Sequence, residues 1–199
     1  VTGTGFTYAT LREQQRVVSV DNATTVTLSA VANNGTPSGT ITFKSAQDYY
    51  AVAIGSSAGQ TSQGEYGIAI GIEAGNTTQG NFAVAIGSNA GKTTQGSSTV
   101  AIGNNAGKTN QSNGAVALGE TAGSVDQGDF AIAIGGGAGV TTQGDNAIAI
   151  GVTAAADGQG TNSIAIGALS GGFANPQAAN SIILNATGAQ LENIYPDGV

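Results

Sequence analysis

Apolar and polar positions in this chain come in short alternating bursts that return at a fixed interval. In Ala83-Val84-Ala85-Ile86-Gly87, Val84 and Ile86 fall on one side of an extended strand. Ala83, Ala85 and Gly87 fall on the other. Each burst ends in an apolar residue followed by glycine: Ile54-Gly55, Ile70-Gly71, Ile86-Gly87, Ile102-Gly103, Leu118-Gly119, Ile134-Gly135, Ile150-Gly151 and Ile166-Gly167, at steps of 16 residues. A period this short and strict predicts a solenoid, one unit per turn, each turn stacked on the last. A helix is excluded, because glycines at these intervals cost about 1 kcal/mol each against alanine and no 3.6-residue stripe exists.

The two sides of the strand carry different information. The Val/Ile side is apolar in every turn and is expected to line the inside of the coil: Val52/Ile54, Ile68/Ile70, Val84/Ile86, Val100/Ile102, Val116/Leu118, Ile132/Ile134, Ile148/Ile150 and Ile164/Ile166. Tyr66, Phe82 and Phe130 share its parity and read as core filler. The other side has alanine at its centre in all eight turns: Ala53, Ala69, Ala85, Ala101, Ala117, Ala133, Ala149 and Ala165. A strand face open to water drifts toward Thr, Lys and Glu. Invariant alanine signals a volume limit, so something packs closely there. One occupant is another copy of the chain in a parallel homotrimer about the long axis, which makes these alanines the expected trimer interface. The other is the coil's own second strand.

A glutamine column accompanies the alanines: Gln63, Gln79, Gln95, Gln111, Gln127, Gln143 and Gln159. Amides stacked one turn apart can hydrogen-bond donor to carbonyl along the column. An amide in a turn can also satisfy backbone groups there. Both readings are structural.

Three segments follow. Residues 1–50 do not repeat and read as a small β-rich N-terminal module or cap, with strands at 16–20, 24–30 and 39–43. Asp21-Asn22 and residues 33–39 supply the turns. Residues 51–180 are the β-roll repeats, with an irregular ninth turn at 172–176. Residues 181–199 hold a terminal strand, Ser181-Ile182-Ile183-Leu184, and an exit segment. The chain begins at Val1 without a visible signal peptide and reads as a processed product or a fragment.

Composition narrows the function classes. Aromatic residues are 5% and charged residues 9% of the chain, and 33 residues are glycine, so the interior should be thin. Net charge is -7, with no basic stripe for nucleic acid. No apolar run is long enough to cross a membrane as a helix. Without Cys or His there is no thiolate or imidazole metal site and no Ser-His-Asp or Cys-His arrangement. The repeat acids Glu65, Glu73, Glu120, Asp126, Asp129, Asp145 and Asp157 form no regular column that would suggest a glycosidase pair. Asp126 and Asp129 read as a solvated turn, and Lys92 and Lys108, one turn apart, are expected to point into water. A Thr column (Thr61, Thr77, Thr93, Thr109 and Thr141, interrupted by Val125) lacks the Thr-x-Thr pairs of ice-binding arrays. No catalytic, cofactor-binding or metal-binding residue is expected, and the chain does not read as an enzyme.

The strand core Ala-Val-Ala-Ile-Gly with Ala-Gly downstream resembles the head repeats of trimeric autotransporter adhesins over about residues 51–170. That resemblance implies a trimeric left-handed parallel β-roll. The 16-residue turn and its Gln-Gly corner, as in Gln95-Gly96, are more similar to tail and surface fibres of phages and large DNA viruses. The resemblance therefore implies an all-β parallel β-solenoid, homotrimeric, serving as a virion tail or surface fibre for host attachment. The implied partners are itself, other virion proteins and a host-surface receptor, with glycan among the candidates. A bacterial adhesin head on the cell surface is the alternative, and a glycan-degrading tailspike a lesser one.

Overall fold

The computed structural model describes residues 15–22, 25–30, 50–171 and 176–186. The chain divides into two compact units, Val1–Ala46 and Gln47–Val199. In the first, strands β1 (Gln15–Asn22) and β2 (Thr25–Ala30) pair antiparallel, with Arg16 opposite Ser29 and Asn22 opposite Thr25. Asp21 and Asn22, expected as the turn, belong to β1 instead. The expected turn at 33–39, the strand at 39–43, the irregular residues 172–175 and the exit segment 189–199 lie outside the described residues.

The second unit is a parallel β-solenoid. Nine three-residue strands form its long sheet, from Val52–Ile54 through Ile68–Ile70, Val84–Ile86, Val100–Ile102, Val116–Leu118, Ile132–Ile134, Ile148–Ile150 and Ile164–Ile166 to Ile182–Leu184. Five strands of two or three residues form the second sheet: Ser62–Gln63, Thr78–Gln79, Thr94–Gln95, Thr109–Gln111 and Val125–Gln127. Single bridges from Gln127 to Gln143, Gln159 and Gln177 extend it along the later turns. Register is strict: Ala69 lies opposite Ala85, Ala85 opposite Ala101, and Ala101 opposite Ala117. Nine strands at ~4.8 Å spacing make a stack about 38 Å tall.

The corners stack as tightly as the strands. Gly75 N donates to Ala90 O at 2.9 Å, and Phe82 N to Glu65 O at 2.8 Å. Gly71 shows why glycine follows each of the first eight strands. Its φ is +131°, and a Cβ there would lie 2.5 Å from the carbonyl oxygen of Gly87 in the next turn. Neither backbone can yield, so this column admits no side chain.

The structure reverses the assignment of the two strand sides. Ala53, Ala69, Ala85, Ala101, Ala117, Ala133, Ala149 and Ala165 face the interior of their own coil and form its core. A second alanine column, Ala58, Ala74, Ala90, Ala106, Ala122, Ala138 and Ala154, meets them there. The Val/Ile/Leu side faces outward, half-buried to exposed. The alanines are thus not the contact between copies. Of the two occupants considered above, the coil's own second strand is the one found.

Volume is the reason. The side chain of Gln95 spans the interior and puts its Nε2 2.9 Å from Val84 O on the opposite sheet. A Cβ on Gly91 would come within 2.6 Å of Gln95 Oε1. A cavity bridged by one glutamine cannot hold a second layer of Val and Ile. Side-chain size, not hydrophobicity, decides which residues enter it.

The ninth strand keeps its place despite arriving 18 residues after the eighth, with Ile164 opposite Ile182. The extra length falls in the corner between Gly167 and Gln177. Ile183 replaces the column alanine in this last strand and is 7% exposed.

Ala101→Glu follows from this placement. A buried carboxylate without a partner is expected to destabilise the coil by about 3 kcal/mol or more. Circular dichroism should show the sheet signal lost well below the parent's melting temperature. A mutant coil as stable as the parent would put Ala101 back outside.

Candidate functional site

The coil offers three surfaces: the amide-lined interior, the apolar face of the long sheet, and the polar face of the second sheet with its corners. Gln79, Gln127, Gln143 and Gln159 of the interior column make the same three bonds. Gln143 Nε2 donates to Ile132 O at 2.8 Å, to Ala147 O at 3.2 Å and to Gln159 Oε1 at 3.0 Å. The first two bonds tie the second sheet to the strands before and after it. The third runs up the stack.

This ladder has two segments. One joins Gln79, Gln95 and Gln111, at 3.1 and 3.3 Å. The other joins Gln127, Gln143, Gln159 and Gln177, at 3.1, 3.0 and 3.2 Å. The Oε1 atoms of Gln79 and Gln127, which head the two segments, accept no hydrogen bond. Gln63 sits in the first turn, is only partly buried, and donates to Val52 O at 2.7 Å and Gly67 O at 3.1 Å. Gln177 escaped the sequence reading, because the two-residue insertion moves it off the 16-residue count. Counting from the shifted strand at Ser181 recovers it.

Small polar residues enter the interior where a local carbonyl can receive them. Thr99 Oγ1 donates to Gly96 O at 2.9 Å, and Ser163 Oγ to Gly160 O at 2.6 Å. Their hydroxyls therefore cost little at positions that are alanine elsewhere in the column.

Three of the acids bond across adjacent turns. Asp126 Oδ1 accepts from Asn110 Nδ2 at 2.8 Å. Asp129 Oδ1 accepts from Asn113 N at 3.0 Å, and Asp145 Oδ1 from Asp129 N at 2.9 Å. Each of these contacts crosses to an adjacent turn. Lys92 does not simply extend into water, as expected above. Its Nζ lies 2.6 Å from Glu73 Oε2, in a pair whose side chains are a third or more exposed. Such a pair contributes about 0–1 kcal/mol. Among the described residues no three His, Cys, Asp or Glu side chains gather as a metal site.

The polar face of the second sheet exposes Thr61, Thr77, Thr78, Thr93, Thr94 and Thr141. Asn76, in one of the Asn-x-Thr triplets, is tied down: its Nδ2 donates to Ser57 O at 2.8 Å and Gln60 Oε1 at 3.0 Å. The opposite, long-sheet face presents two Val, Ile or Leu side chains per strand over nine strands. Tyr66, Phe82 and Phe130 stand at its margin. They are 46%, 57% and 63% exposed and are not core filler.

Gln143→Ala should be far more damaging than Gln63→Ala. The first opens a cavity, removes the amide donor shared by Ile132 O and Ala147 O, and cuts the ladder between Gln127 and Gln159, an expected cost of about 3–5 kcal/mol. The second removes a partly exposed amide outside the ladder, at about 1 kcal/mol. Urea unfolding of the two variants measures the contrast.

The YadA head domain repeat matches this chain in two copies, at residues 62–90 and 143–170. No curated protein and no solved structure matches it. In repeat sequence and in its parallel β-solenoid of 16-residue turns, the chain is similar to the head of the trimeric autotransporter adhesins.

Proposed function

We propose that this chain is the head or shaft of a homotrimeric, extracellular attachment fibre, whose three coils pack through their Val/Ile/Leu faces. The supporting observation is the outward long-sheet face. Two apolar side chains per strand on nine strands expose apolar area on the order of 1,000 Å², beyond the largest patch of a typical monomer. It is close to the ~800 Å² per partner of a standard interface. Over the first eight turns the interior holds only small side chains and glutamine, so folding of one coil leaves the Val/Ile/Leu face partly in water. Association is the way to remove it.

A trimer built this way keeps its three Thr-rich second sheets outward. Weak contacts on three identical faces to a host surface, with glycan among the candidates, would add by avidity. The fold is a scaffold for such surfaces, and no residue is assigned a catalytic role.

The head-repeat match supports a bacterial cell-surface adhesin. The Gln-Gly corner of the 16-residue turn supports a virion tail or surface fibre working beside other virion proteins. The full open reading frame separates them. A downstream membrane-anchor domain supports the first, and neighbouring baseplate or capsid genes the second.

Ile134→Lys tests the assembly. Ile134 points outward and is half-buried, so a lone coil should tolerate lysine there. Sedimentation is expected to show the parent as a trimer and the variant as a folded monomer. A variant trimer as tight as the parent would remove this face from the interface.

A further inference from the structure

Where the coil turns from the second sheet into the long sheet, one residue per turn has left-handed φ. These are Tyr50 (72°), Tyr66 (58°), Phe82 (59°), Ser98 (58°), Gly114 (66°), Phe130 (56°), Asn146 (56°), Asn162 (56°) and Asn180 (58°). Asn and Gly take this conformation readily, whereas a bulky side chain is strained in it. The last three turns use asparagine, and its amides bond up the column at 3.2 and 3.3 Å. The first three turns use aromatic rings.

Those rings are stacked, with centroids 5.4 Å apart for Tyr50–Tyr66 and 5.0 Å for Tyr66–Phe82. Even so, they remain 77%, 46% and 57% exposed. This corner thus carries backbone strain and wet aromatic surface together. Strain of this kind persists where it serves a contact. Stacking covers the faces of the middle ring, which disfavours a sugar that needs an open face. It leaves the ring edges as a ridge that fits a protein surface.

The ridge borders the apolar face: Tyr66 and Phe82 stand two residues before Ile68 and Val84, and both rings are exposed. The other margin of that face lies two residues after the strands. It holds Ser56, Ile72 and Ser88 in the same turns, with Ile72 60% exposed. Contacts in a three-fold ring are heterologous, so one margin of each copy meets the opposite margin of the next. A bulky margin meeting a smaller one is a complementary pair.

We infer that the aromatic corner ladder Tyr50–Tyr66–Phe82 docks on the Ser56–Ile72–Ser88 margin of a second copy of this chain, locking the assembly at the N-terminal end of the coil. This rests on the trimer reading above. The asparagine corners at the other end stay in water.

The chain has no tryptophan, so Phe82→Trp introduces a single reporter. In the trimer its emission should be blue-shifted, and acrylamide should quench it at least about threefold less than in the unfolded chain. Tyr66→Asn combined with Phe82→Asn installs the residue the later turns already use. It should raise the trimer dissociation constant about tenfold or more, with the circular dichroism of the coil unchanged. A reporter as open to acrylamide in the trimer as in the unfolded chain overturns the docking and spares the trimer. So does an asparagine pair that leaves the dissociation constant unchanged. A parent chain that sediments only as a monomer overturns the trimer and the docking together.

Discussion

The interior of this coil is one glutamine wide, and the rest of the structure follows from that width. A second sheet lies close enough for each Gln side chain to reach the carbonyls of the facing strand, as Gln95 reaches Val84. In the first eight turns only alanine, glycine and an occasional Ser or Thr fit beside it. Val and Ile are displaced to the outer side of the same strand, although they are the more hydrophobic residues. The rule that apolar residues go inside holds only while there is an inside large enough to take them.

So thin a core buries little apolar area per residue. Cohesion along the axis comes instead from hydrogen bonds in which each position meets its equivalent one turn away. Backbone ladders run through strands and corners alike, and buried amides add a ladder of their own. Gly71, with no room for a Cβ against Gly87, marks how close the turns lie. A strict period is the consequence, since a residue added or lost in one turn would misalign every column at once. The ninth turn accommodates two extra residues because they fall in a corner and leave Gln159 bonded to Gln177.

Function is thereby moved outward. The interior is filled by its own amides, and Asp129 and Asp145 are occupied in bonds between adjacent corners. What the coil presents is a pair of contrasting surfaces on opposite sheets, one Val/Ile/Leu-rich and one Thr-rich. That division suits a fibre in which one surface seeks its own kind and the other meets water and a host.

The solenoid, its 16-residue turn, the glutamine column and the likeness to adhesin heads are legible along the chain, because each is written as repetition. Invariant alanine also signals that something presses there. What presses is set by the closed coil, since strand parity separates two sides without saying which one faces in. The aromatic residues were misplaced for a related reason. Tyr66 and Phe82 occupy left-handed corners, where alternation no longer sets direction. Inside and outside were settled by the distance between two sheets, a quantity that exists only once the chain has closed its turn.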